Sequence, residues 1–382
     1  MTVVHSARLV SGGTETADAW VRFADGRVSA VGTGGGWRGF DDEDVVDAAA
    51  LAGPDAVLAP GFIDIHGHGG AGVSYDDGTE AIRRARALHR AHGTTRAVVS
   101  LVTAPLPDLE RRVAIVADLV ETDADILGSH LEGPFLDAAH RGAHDPALLQ
   151  PPTGAALRRL LDAGRGTVRQ ITLAPEIAGG MDAIRMIAAA GAVPAVGHTS
   201  ADAATTRAAV DAGARILTHA FNGMPGLGHR APGPVGAAAS DPRVILEVIA
   251  DGVHLDPAVV RILFAAAPGR IALITDAMAA AGAPGGRYLL GGLAVDVEGD
   301  TARLVEGGSI AGSTLTHDRA LRLAVQAGVP LAEAVRALTE TPARAVGRDG
   351  DLGRLEAGMS ADAVLLSGDL HVRRVWTAGS AG

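Results

Sequence analysis

The sequence predicts an α/β fold, a (β/α)8 TIM-like barrel with a small β-sandwich domain formed by both chain ends. The middle of the chain alternates short β-rich apolar runs with longer Ala/Arg/Leu stretches of helical character, which favours a parallel βα-barrel over a doubly wound sheet. Histidine, glutamate and aspartate recur where those runs end, and a barrel gathers its active site at the C-terminal ends of its strands. Residues 1–56 and 350–382 have a different character, with short strands and turns, and each is too short to fold well alone.

Taken in order, residues 1–56 offer strands at Val3–Val10, Trp20–Phe23 and Arg27–Val31, then a loop rich in Gly and Asp. Residues 350–382 offer Asp362–Leu366 and Val372–Thr377, and pairing the two ends makes one small β domain beside a barrel of residues 57–349. The expected barrel strands are Val57–His68, Thr94–Thr103, Ile126–Pro134, Val168–Glu176, Ala192–Thr199, Ile216–Asn222, Val244–His254 and Arg270–Met278. Helical patterns lie between several of them, at Glu80–His92, Leu109–Glu121, Ala155–Ala163, Asp182–Ala190, Ala201–Ala212 and Pro257–Ala267. Gly191, Gly213 and Gly269 follow such patterns as C-terminal caps. A two-strand excursion, Tyr288–Asp296 with Thr301–Glu306, extends from the last barrel turn, and helices Thr314–Ala327 and Leu331–Val346 follow.

Composition removes several kinds of chemistry. The 382 residues are 47% apolar and 20% charged, as in a globular protein with a large core. No apolar run approaches the roughly 18–20 residues of a membrane span, and the N-terminus lacks the pattern of a secretory signal, so a cytoplasmic location is expected. A net charge of −11 argues against nucleic acid or an anionic membrane as partner. Cysteine is absent, so any metal must be held by His, Asp and Glu. Lysine is absent too: all 33 basic residues are arginine, and neither a Schiff base nor a carboxylated lysine bridging two metals is available.

The strand ends carry the chemistry. The first ends in Pro60-Gly-Phe-Ile-Asp-Ile-His-Gly-His68, and alternation along a strand puts Asp64, His66 and His68 on one face. The third ends in His130-Leu-Glu132, the fifth in His198, the sixth in His219-Ala-Phe-Asn222, the seventh in Asp251-Gly-Val-His254, and the eighth in Asp276. Singly, each has an ordinary reading: a lone histidine is more often a hydrogen-bonded residue than a ligand, and Asp276 suits a helix N-cap. Jointly, imidazoles and carboxylates at six of eight strand ends are hard to bury without a shared ion.

These residues also carry a resemblance. The Pro-Gly-Phe-Ile-Asp-Ile-His-Gly-His opening, the ordered strand-end residues and Asp276 resemble the amidohydrolase superfamily of metal-dependent hydrolases. Within it, the runs His130-Leu-Glu-Gly-Pro-Phe-Leu136, Gly197-His-Thr199, Thr218-His-Ala-Phe-Asn-Gly-Met224, Asp251-Gly-Val-His254, Thr275-Asp-Ala277 and Ala311-Gly-Ser313 are similar to the N-acetylglucosamine-6-phosphate deacetylase family. The resemblance implies that Glu132, His198 and His219 hold one divalent ion. It implies that His66 and His68 help hold a second, with Glu132 bridging and Asp276 nearby. Zinc is the expected ion, two per subunit are favoured over one, and a homodimer is expected.

The implied reaction deacetylates N-acetyl-D-glucosamine 6-phosphate, a small amino-sugar phosphate. Metal coordination lowers the pKa of water toward about 7, Asp276 acts as general base and then as proton donor to the amine, and His144 supports the oxyanion. For the phosphate, the Asn222-Gly223 turn offers backbone N–H groups and Arg230 offers a bidentate guanidinium. The resemblance adds His254 as a substrate contact and allows one of these groups to come from a partner subunit. His229 and the loop 136–140 receive no role. The competing readings are a dihydroorotase-like or deaminase-like enzyme acting on a cyclic amide or amidine, and an inactive relative serving as a binding protein.

Overall fold

The structure, a computed structural model, describes residues 1–41 and 44–381. Its centre is a sheet of eight strands in sequential order: Phe62–Asp64, Thr94–Val102, Ile126–Glu132, Val168–Leu173, Val193–Val196, Ile216–Leu217, Ile245–Val248 and Ile271–Leu273. Each neighbouring pair runs parallel. Alternation sorts the side chains: Ala195, Ile216, Ile245 and Ala272 join one apolar cluster with Ile63 and Val98, while Val196, Leu217, Leu246 and Leu273 pack in another with the helices. Each helix turns a stripe toward the sheet. In Leu106–Thr122 the buried positions include Leu109, Val113, Val116 and Ala117, the spacing of one helical face.

The expected first strand, Val57–His68, is two strands in two different sheets. Val57–Pro60 pairs with Thr2–Ser11 and with Ala363–Leu366, whereas Phe62–Asp64 pairs with Thr94–Val102. The chain crosses between the sheets at Gly61, where a Cβ would lie 2.2 Å from Thr95 Oγ1, so only glycine fits. Most other barrel strands stop several residues before the expected end, leaving their histidines and aspartates in the loops that follow.

Within the barrel the helices lie close to their expected bounds, with two differences; outside it, Ala48–Ala52 is a short helix where only strands and a loop were expected. Gly233–Ser240 is a helix that the sequence hides, because its Gly, Pro and Ala residues give no polar–apolar period. Leu331–Val346 is two helices, Leu331–Leu338 and Glu340–Ala345, broken at Thr339 (φ −131°, ψ −81°). The excursion has three strands, Gly286–Leu290, Leu293–Glu298 and Thr301–Leu304, because Gly291 and Gly292, at φ 56° and 84°, make a two-residue hairpin turn.

The chain ends meet in a second sheet of Thr2–Ser11, Thr14–Ala24, Arg27–Thr33, Asp44–Asp47, Val57–Pro60, Ala363–Leu366, Val372–Thr377 and Ser380–Ala381. It forks at its first strand, whose start pairs with Asp44–Asp47 and whose end pairs with Val57–Pro60. Residues of both branches, including Val46, Leu58, Phe23 and Trp376, share one core. Among the described residues no helix is long and apolar enough to cross a membrane.

A buried ion pair ties this sheet to the barrel. Arg96, in the second barrel strand, donates Nε–H to Asp362 Oδ2 at 2.5 Å and Nη2–H to Oδ1 at 2.9 Å. Replacing Arg96 by alanine strands a buried carboxylate, and urea denaturation should show a loss of about 3–5 kcal/mol. A loss under about 1 kcal/mol would mean that the contact behaves like a surface pair.

Candidate metal centre and active site

The two barrel edges meet where the first and eighth strands end. Asp276 N–H donates to His66 O at 2.8 Å, and His68 N–H donates to Ala277 O at 2.7 Å. Asp64 fastens the same seam, accepting the Thr275 hydroxyl at 2.6 Å and the His66 N–H at 3.2 Å. Asp64 therefore does not stand beside the histidines as strand alternation suggests. The strand has ended, and a turn brings His66 Nε2 and His68 Nε2 to 3.2 Å. His198, His219 and Asp276 have φ of 46°, 26° and 46°, a left-handed conformation that side chains other than glycine adopt at a cost. Such turns stop the ladders early and bring these residues to a common centre.

Two trios of buried ligand atoms result, His66–His68–Asp276 and Glu132–His198–His219. In the second, Glu132 Oε1 lies 3.0 Å from His198 Nε2 and 3.1 Å from His219 Nε2, with the two nitrogens 3.0 Å apart. In the first, Asp276 Oδ1 is 3.3 Å from His68 Nε2 and 3.8 Å from His66 Nε2. Glu132 faces both, because its Oε2 is 3.1 Å from His68 Nε2. Imidazole nitrogens around one tetrahedral ion, with metal–nitrogen distances of about 2.0–2.1 Å, stand about 3.3 Å apart. The donor set therefore fits divalent metal: imidazole nitrogens converge at nearly that spacing and carboxylates supply the countercharge.

Electrostatics agrees. Burial alone would push His66 and His68 down, but the carboxylates outweigh it: Glu132 and Glu247 hold His66 well above its ordinary value, and Asp276 and Glu132 raise His68 to about 9. Burial would likewise raise Glu132, yet the surrounding histidines bring it well below the carboxylate range, and His68 and His66 bring Asp276 to about 2. The centre is thus anionic in its carboxylates and calls for positive charge.

A polar layer lies beneath it, where a barrel is usually filled by Val, Ile and Leu. His66 Nδ1 donates to Glu247 Oε2 at 2.9 Å, and Gln170 Nε2 donates to Glu247 Oε1 at 2.8 Å. On the pocket side instead, His198 Nδ1 donates to His140 O at 2.9 Å. His130 belongs to this layer and to neither trio: its nitrogens bond Ser100 Oγ at 2.9 Å and Thr172 Oγ1 at 2.8 Å, and burial pushes its pKa well below the usual value. Glu247 and Gln170 escaped the sequence analysis. The available signal was a carboxylate inside the apolar strand Ile245–Val248, which demands a buried partner.

Above the trios opens a pocket of about 460 Å³. His68, Glu132, His198, His219 and Asp276 reach its floor, and His144, Asn222, Gly223 and His254 line it as well, while His66 is fully buried behind. Burial lowers His144 to about 4, so it is neutral, and its Nδ1 lies 2.8 Å from Thr103 Oγ1. His254 Nδ1 donates to Asp251 Oδ2 at 2.7 Å, and that carboxylate overcomes burial and raises the His254 pKa. Asn222 lines the pocket with its amide nitrogen turned away, donating to His219 O at 3.2 Å and Ala220 O at 3.3 Å. At Gly223, φ 58°, a Cβ would come within 2.9 Å of His198 Nδ1, so glycine makes room for that imidazole.

Arg230 departs from expectation. A turn closed by Gly228 N–H to Ala231 O, 3.0 Å, projects it into solvent, and its Nη1 meets His229 Nε2 at 2.9 Å. The chain does not bring its own Arg230 to the pocket it lines with His254.

The sequence pattern of the amidohydrolase family matches residues 57–381. The chain is 39% identical to N-acetylgalactosamine-6-phosphate deacetylase of Escherichia coli O157:H7, over 99% of this chain and 98% of that protein. It is 36% identical to N-acetylglucosamine-6-phosphate deacetylase of Vibrio furnissii, over 94% and 91% of the two chains. Its fold superposes, at a TM-score of 0.93 and 42% identity, on N-acetyl-D-glucosamine-6-phosphate deacetylase of Mycobacterium smegmatis, a variant in complex with N-acetyl-D-glucosamine 6-phosphate, covering 100% of this chain and 98% of that one.

Proposed function

The chain belongs to the amidohydrolase family, and on that footing we propose that it deacetylates N-acetyl-D-glucosamine 6-phosphate, yielding D-glucosamine 6-phosphate and acetate. The observation that carries this reading is the pair of candidate ligand trios, with Glu132 of one facing His68 of the other, at the floor of a pocket that also holds the cationic-leaning His254. Glu132, His198 and His219 would hold one divalent ion and His66, His68 and Asp276 a second, with zinc suited to nitrogen and carboxylate ligands. When bound, the metal lowers the pKa of a coordinated water toward about 7 and polarises the acetyl carbonyl.

The remaining chemistry belongs to side chains. Asp276 is an ionised carboxylate, the form a general base needs. It takes the proton that water loses as the new C–O bond forms, and returns it to the amide nitrogen as the C–N bond breaks, so that the amine leaves neutral. His144 lines the pocket with its Nδ1 2.8 Å from Thr103 Oγ1, and in its Nε2–H tautomer the imidazole would donate to the acetyl oxygen as charge develops there. His254, held by Asp251, is the cation for the phosphate, and the Gly223 N–H is a backbone donor in the same pocket lining. Arg230 reaches a phosphate here only from a second copy of the chain, so it and the homodimer stand together in this reading, as does a cytoplasmic setting.

Acetate release from N-acetylglucosamine 6-phosphate, N-acetylgalactosamine 6-phosphate and the two free sugars tests the assignment. The glucosamine phosphate is expected to give the highest kcat/KM. A faster galactosamine phosphate would transfer the reading to the C4 epimer, for which the E. coli relative is named. No acetate from either phosphate would reject it. In the same assay His254→Gln is expected to raise KM for the phosphorylated sugar about 10–100-fold, the worth of a hydrogen bond to a charged group. The free sugar should be little affected. Equal effects on both would remove His254 from phosphate binding.

A further inference from the structure

Glu247 is fully buried, lies inside the barrel, and takes no part in the chemistry described above. Its two oxygens are spent in an ordered way. Oε2 accepts the His66 Nδ1–H at 2.9 Å and the main-chain N–H of His219 at 3.3 Å, and Oε1 accepts Gln170 Nε2–H at 2.8 Å. An imidazole whose Nδ1 is bound to a carboxylate keeps its proton there and presents a lone pair on Nε2, the atom His66 turns toward His68 and Asp276. His68 has no such support, since its Nδ1 is buried without a hydrogen-bond partner among the described residues. In the other trio the outer nitrogen of His198 is fixed by a main-chain carbonyl, that of His140. Among the described residues Glu247 is thus the one carboxylate that backs an imidazole of the His66–His68–Asp276 trio. We propose that Glu247 is a positioning residue that locks His66 in its Nδ1–H tautomer and thereby sets how tightly this trio holds its ion, largely independently of the Glu132–His198–His219 trio. The proposal rests on the reading that His66, His68 and Asp276 hold a second ion.

The test is zinc binding by the full chain, stripped with a chelator and titrated with Zn²⁺, with metal per subunit measured by mass spectrometry and each dissociation constant by competition with a chromophoric chelator. The wild type is expected to bind two ions. Glu247→Leu should keep the first constant and weaken the second about 100-fold, whereas Glu247→Gln, whose amide oxygen still accepts from His66 while Gln170 reverses its own amide, should weaken it only about 10-fold. Gln170→Leu leaves the His66 contact in place and should retain both ions. If Glu247→Leu does not fold, Glu247→Gln decides alone. An unchanged second constant in the folded Glu247 variants overturns the proposal, as does equal weakening of both constants, the mark of a general structural defect. A wild type that binds one ion rejects the two-ion reading instead, and the proposal falls with it.

Discussion

Asp276→Asn is expected to lower kcat by about 10²–10⁴-fold, the usual contribution of a positioned acid–base group, with KM changed less than about threefold. The substitution keeps the shape of the side chain, and asparagine tolerates the left-handed backbone that Asp276 adopts at φ 46°. The main-chain contacts also survive, because Asp276 N–H still reaches His66 O at 2.8 Å and Asp276 O still accepts Ser313 N–H at 2.7 Å. What disappears is the carboxylate that accepts a proton from water and delivers it to nitrogen. Asp276 Oδ1 also faces His68 Nε2 at 3.3 Å, so metal content must be measured in the same preparation. Lost turnover with metal retained marks the proton relay. Lost turnover that returns on adding zinc would make Asp276 chiefly a ligand, and wild-type kcat would remove it from the mechanism.

The barrel was legible because its strands are apolar runs separated by helical periods, and neither signal depends on distant contacts. What failed depended on them. Val57–His68 reads as one strand because both halves are buried; the crossing at Gly61 shows only when Thr95 is found against it. The meeting of His66, His68, Glu132, His198, His219 and Asp276 was legible for a related reason, since a barrel places its strand ends around one centre, whereas their division into two trios rested on the family resemblance alone. Their exact approach was not legible, since it depends on left-handed turns at His198, His219 and Asp276 that no local rule assigns to such residues. Nearness to Asn222 in sequence puts Arg230 at the pocket, and the turn at Gly228–Ala231 carries it away from the pocket of its own chain. Glu247 was overlooked because residue type alone does not show that the imidazole of His66 stands behind it, 181 positions away.

Glu132→Gln is expected to remove both ions at once and to lower kcat/KM at least about 10³-fold, since a bound metal supplies several kcal/mol of charge stabilisation and each 1.36 kcal/mol is tenfold. The reason is geometric. Glu132 Oε1 faces His198 and His219 at 3.0 and 3.1 Å, and Oε2 faces His68 at 3.1 Å, so this carboxylate belongs to one trio and stands against the other. No lysine is present to bridge in its place. The neutral amide that replaces it presents an N–H₂ group to one of the two sides, and a donor cannot ligate a cation. His66→Gln is the informative contrast. It removes a nitrogen from one trio only, and should leave one ion bound by Glu132, His198 and His219. If Glu132→Gln instead keeps one full equivalent of metal, Glu132 serves a single trio and does not bridge. If both variants lose all metal, the trios are not separate positions, and the site holds one ion to which His66 and Glu132 are both essential. Metal content of these two proteins therefore separates a bridged pair from a single centre without reference to turnover.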